Sequence, residues 1–97
     1  MYVVLLTYTA PLEEVDQVLS EHGTWLQRRF DAGDFAVAGP RNPRTGGVII
    51  TRQLERAELD ALLATDPFAV HQVATYEVIE FAATRIAPEL ARFAEAS

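Results

Sequence analysis

The chain has 97 residues, 49% of them apolar, with no lysine, no cysteine and a formal net charge of −6. That length suffices for one domain with one core and not for two, so residues 1–97 read as a single domain in which residues 85–97 form a C-terminal tail. The composition excludes disulfide and thiolate chemistry and argues against disorder; the charge leaves no basic footprint for nucleic acid, and no apolar run approaches the ~20 residues of a membrane span.

Tyr2 to Tyr8, YVVLLTY, is short, β-branched and aromatic, and reads as a strand. Tyr2, Val4, Leu6 and Tyr8 point one way, Val3 and Leu5 the other. Both faces are apolar and both need cover, which in so short a chain points to a partner subunit. No basic segment precedes this strand, so no signal peptide is expected and a cytoplasmic location fits.

Val15 to Phe30 reads as one amphipathic helix that continues to about Asp31. Glu13, Glu14 and Asp16 load its first turn with acids, favourable at the positive end of the helix dipole, and Gly33 is the expected C-cap. Val15, Val18, Leu19, Trp25, Leu26 and Phe30 fall in one apolar arc at ~100° per residue. His22 sits near the middle of that arc. An imidazole there is partly desolvated and needs a polar partner.

Asp34 to Gly39 is the second strand, closed by Pro40. Arg41 to Thr45 is a loop by its Asn-Pro content, and Gly47 to Arg52 is the third strand. Glu55 to Ala64 is the second helix, with Leu59, Leu62 and Leu63 as its stripe. Asp66 and Pro67 then suit the N-cap and first position of a short helix over Phe68 to Gln72. Val73 to Ala82 is the last strand. In the tail, Pro88 starts a helical turn whose Ile86, Leu90 and Phe93 make one stripe, too short to be stable unless docked. The order β-α-β-β-α-β is the ferredoxin-like pattern: an α+β fold with a four-stranded antiparallel sheet and two helices on one face. The other face keeps apolar side chains, most simply covered by a second copy.

Two readings of His22 fit these residues. One is a core histidine satisfied by a backbone carbonyl; the other is a general acid/base, since imidazole titrates near neutral pH. An activating carboxylate would favour the second, and Asp66 is the leading candidate, because one oxygen can cap a helix while the other accepts from an imidazole N–H. Asp34 could face either way, whereas Glu21 and Asp31 lie outside the arc. Arg41 and Arg44 share the loop between strands two and three and could bind an anionic substrate, although a solvated loop is the default. His71 is expected at the surface. No metal-ligand spacing joins the two histidines, and there is no glycine-rich phosphate loop or nucleophile motif, so neither a metal nor a cofactor is expected.

YVVLLTY, the helix histidine in SEHGTWL, the AGP at Ala38-Gly39-Pro40, the TGGVII strand entry and the DPF at Asp66-Pro67-Phe68 occur in order over residues 1–87. In this the chain resembles the YciI-like (YCII-related) domain family. The resemblance implies a ferredoxin-like homodimer joined through its sheets, similar to the dimeric α+β barrels. It also implies a pocket in which His22 and Asp66 form a catalytic pair, with Gly39, Pro40 and Phe68 beside it. Arg41, from the loop reading above, is a further candidate substrate contact. Chemistry known in the family, such as dehydrochlorination of a chlorinated aromatic, fits acid/base work on a small molecule. The expected function is that of a cofactor-free lyase, dehalogenase or isomerase acting on a small cyclic or aromatic compound. The alternative is a non-catalytic small-ligand-binding or accessory domain in which His22–Asp66 is a structural hydrogen bond.

Overall fold

The computed structural model describes residues 1–95. Tyr2–Tyr8 forms β1, Leu12–Asp31 forms α1, and Phe35–Pro40 and Gly46–Thr51 form β2 and β3. Arg56–Leu63 is α2, Pro67–Val70 the short α3, and Ala74–Glu80 β4. A 3₁₀ segment follows at Pro88–Ala94. The four strands make one sheet in the order β2-β3-β1-β4, antiparallel at every pairing. This is the ferredoxin-like arrangement expected from the element order, with the first strand inside the sheet and β2 and β4 at its edges.

The register assigns the two faces. Val4 pairs with Ile49 and Val78, and Leu6 with Gly47 and Tyr76, so these side chains share the face with Tyr2 and Tyr8. Val15, Val18 and Trp25 of α1, Leu59 and Leu63 of α2, and Phe68 of α3 pack on that face in one buried cluster with Tyr2, Val4, Leu6, Phe35 and Ile49. Val3, Leu5, Val48 and Ile50 lie on the opposite face. These four are only half-buried, and Val37 and Ile79, which pair into that face, are exposed.

Two glycines make the fold locally possible. Gly33 has φ +80° and closes α1: its N–H donates to Phe30 O at 3.0 Å, and Asp34 N–H donates to Arg29 O at 2.9 Å. These are the paired bonds of a Schellman cap, which a side-chain-free left-handed residue permits. At Gly46 the reason is contact: a Cβ would lie 1.7 Å from the Leu6 carbonyl oxygen.

Boundaries differ from the sequence reading in small, explicable ways. α1 begins at Leu12, one residue before the acids Glu13 and Glu14 of its first turn. Asp34 is withdrawn from the second strand because its carboxylate accepts from Arg29 and Arg52, each at 3.2 Å; it is buried as a tie between the end of α1 and the end of β3. Pro40 belongs to β2 because an edge strand tolerates a missing N–H. The short helix ends at Val70 because Gln72 turns to φ +57°. In the tail, Phe93 is buried and its carbonyl accepts from Gln53 N–H at 2.6 Å; the last two residues of the tail lie outside the described residues. No helix among the described residues is long and apolar enough to cross a membrane.

Candidate active site

α1 and α3 are joined where the site lies. Trp25 Nε1 donates to Thr65 Oγ1 at 2.9 Å, and that hydroxyl donates to Leu62 O at 2.6 Å. This pins the α2–α3 connection against α1 one residue before Asp66. Asp66 is the N-cap of α3: its Oδ1 accepts the Phe68 N–H at 3.0 Å, while Pro67, with no N–H to satisfy, occupies the first helical turn.

The same Oδ1 lies 2.7 Å from His22 Nδ1. The Tyr76 hydroxyl donates to Oδ2 at 2.5 Å. Asp66 is 0% exposed, so three donors stand in for the water its carboxylate has lost. Each hydrogen bond to a charged group contributes about 1.5–3 kcal/mol. Burial, then the bond to Asp66, keeps the Tyr76 hydroxyl protonated well above the ordinary tyrosine range.

The carboxylate accepts from Nδ1–H, which places the lone pair of a neutral ring on Nε2. Nε2 has no protein partner among the described residues and is not sealed from solvent. The plane of the ring is set by Phe68, stacked at a centroid distance of 3.8 Å and an angle of 5°, with the Trp25 ring also near it at 5.8 Å.

His22 forms part of the wall of a cavity of about 380 Å³ between α1 and the β1–β3–β2 portion of the sheet. That volume is within the range of small-molecule sites. Gly39, Pro40 and Phe68 line it together with Tyr8, Leu26 and Ala38. Asp66 stands behind His22 and does not line it. Arg41 is exposed and also does not reach it; Arg44 from the same loop does. His71 is on the surface, 3.6 Å from Glu21. Among the described residues no group of three or more histidines and carboxylates is placed to hold a metal ion.

The sequence assigns no role to Tyr76, although its pairing with Leu6 puts it on the helix side, facing Asp66. Arg41 and Arg44 are both candidate anion binders in the sequence, and the path of the loop brings Arg44 rather than Arg41 to the cavity.

The family model for the YCII-related domain matches residues 1–82. The chain belongs to that family. The short motifs from YVVLLTY to DPF therefore identified it correctly. No curated protein matches the sequence. Among solved structures, the chain is similar to 5-chloro-2-hydroxyhydroquinone dehydrochlorinase (TftG) from Burkholderia phenoliruptrix AC1100 in complex with 2,5-dihydroxybenzoquinone, with a TM-score of 0.70 and 17% identity over 84% of this chain and 93% of that one. At that identity the likeness establishes the fold.

Proposed function

We propose that this YCII-related protein is a cofactor-free acid/base enzyme of the lyase or dehalogenase type. Its substrate is a small ring compound, His22 is its general base and Asp66 the residue that positions His22. The observation that carries this reading is the 2.7 Å pairing of His22 Nδ1 with a fully buried carboxylate in the wall of an apolar cavity. Asp66 fixes the tautomer and the ring orientation, and Nε2 is left to work on the ligand. The structural neighbour, a dehydrochlorinase solved with a dihydroxybenzoquinone, supports the reaction class and supplies the first compounds to assay.

In the reaction so assigned, Nε2 takes a proton from an acidic O–H or C–H of the bound ring. In the keto tautomer of the ring, where the carbon bearing the leaving group is tetrahedral, the electron pair left behind moves through the ring and expels that group as an anion, and the proton returns from the imidazolium to solvent. The substrate loses one H–X overall, and neither oxidant nor metal enters the balance. We place this site in a homodimer joined through the sheet face opposite the helices, where Val3, Leu5, Val48 and Ile50 would meet the same residues of a second copy.

The test is halide release from a panel of halogenated hydroquinones. Wild-type protein should release halide, and His22→Ala should be slower by ~10²–10⁴-fold with an unchanged circular dichroism spectrum. Equal turnover by a folded His22→Ala would remove His22 as the base. Binding of the panel without turnover would make the chain a ligand-binding domain.

A further inference from the structure

Among the described residues, and apart from the imidazole of His22, the cavity wall is apolar or aromatic with a single exception, Arg44. Its guanidinium lies 5.8 Å from the centroid of the Tyr8 ring. Tyr8 packs edge-on against Phe68 at 5.8 Å, and Phe68 is the ring on which His22 stacks. A continuous aromatic rail thus runs from a permanent cation at one end to a proton-accepting nitrogen at the other. Asp16 of α1 holds the cation in place: Arg44 Nη2 donates to its Oδ1 at 2.6 Å. A guanidinium carries five N–H donors in a planar fork, and only this one meets a carboxylate in the described residues.

We propose that Arg44 is the specificity-determining residue of this site and that the cavity takes a flat ring bearing an acidic hydroxyl, a phenol or enol, bound with its oxygen as the oxyanion against the guanidinium. This deepens the acid/base function proposed above and rests on it for the role of His22. The chemistry of the walls carries the inference. Aromatic and aliphatic surfaces favour a ring but cannot offset the loss of solvation of an oxyanion; a guanidinium on the same wall can, through charge-assisted hydrogen bonds. The chain as a whole is strongly acidic and repels anions at a distance, so selection of an anion has to be local. When the hydroxyl ionises, the O–H bond breaks, the oxygen keeps the electron pair beside Arg44, and the proton goes to Nε2 of His22 or to solvent.

The probe is para-nitrophenol, whose ionisation is read by its absorbance, with para-nitroanisole as its uncharged counterpart. Wild-type protein should bind the phenolate at least ~10-fold more tightly than the ether, and the bound phenol should ionise at a lower pH than the free one. Arg44→Gln should remove both effects while its circular dichroism stays that of wild type, and Arg44→Lys should restore part of the preference. Equal affinity of wild type for the two probes, or a preference that survives in Arg44→Gln, overturns the proposal. The readout does not depend on turnover. His22→Ala should keep its preference for the phenolate, so failure of His22 as the base and failure of Arg44 as the anion site give different results.

Discussion

Tyr76 and His22 grip opposite oxygens of one carboxylate: the tyrosine hydroxyl donates to Asp66 Oδ2, and the imidazole pairs with Oδ1. The first comes from a strand and the second from the long helix, so Asp66 ties the sheet to α1 as well as capping its own helix. Tyr76→Phe removes one of three donors from a carboxylate with no access to water. We expect it to destabilise the protein by about 1–3 kcal/mol, measured as a lower urea midpoint at unchanged slope. His22 keeps its partner, so turnover should fall much less than in His22→Ala. A turnover loss as large as that of His22→Ala would make Tyr76 part of the proton chemistry.

The same hydroxyl gives the protein an alkaline limit. Tyr76 is held protonated in the folded state, whereas in the unfolded chain it ionises around the ordinary tyrosine value of 10.0. Its contribution is fully present below that value. Above it the unfolded state binds fewer protons than the folded state, so stability falls as pH rises. Tyr2, raised by its partial burial and by the Glu80 carboxylate it contacts, acts in the same direction. Urea midpoints measured from pH 8 to 11 should decline above about pH 10, and the decline should be shallower in Tyr76→Phe. Parallel curves for the two proteins would contradict this origin.

Gly46 leaves no room for a side chain against β1. In Gly46→Ala the new methyl meets the Leu6 carbonyl, which is backbone in the middle of the sheet and cannot swing aside. The strands would have to part, and the cost should exceed the ~1–3 kcal/mol of ordinary overpacking. Far-ultraviolet circular dichroism with thermal melting is the check; a melting temperature within a degree or two of wild type would show that the β1–β3 pair is more compliant than drawn.

The exposure of Val37 and Ile79 on the sheet face opposite the helices motivates the last prediction. Wild-type protein should be a dimer by light scattering at micromolar concentration, and Ile79→Glu should convert it to monomer, since Ile79 is exposed on that face. A wild-type monomer would remove the sheet-to-sheet arrangement. A dimer unaffected by Ile79→Glu would place the interface elsewhere.

Much of this was legible in the residues because local periodicity and turn chemistry agree. The arc from Val15 to Phe30 marked α1, and the imbalance of a histidine within it marked His22. Asp66 before Pro67 declared a helix start. What sequence could not carry was the pairing of distant strands. Tyr76 faces Asp66 because β4 lies beside β1 in one particular register, and nothing near Tyr76 in the chain specifies that. Arg41 and Arg44 sit three residues apart in the same loop, and their difference depends on a turn path with no periodicity to read.

Gly23 lines the cavity from the helix, one residue beyond His22, and an added Cβ there would come within 4 Å of no other atom. The slot is therefore kept wide on this wall by the absence of a side chain that the fold itself does not forbid. Its bore can be narrowed by one methyl group there without touching the imidazole, the buried carboxylate or the packed core. Relatives with a larger residue at this place would accept slimmer molecules on the same machinery, and an engineer could sieve substrates by size before altering any reactive group.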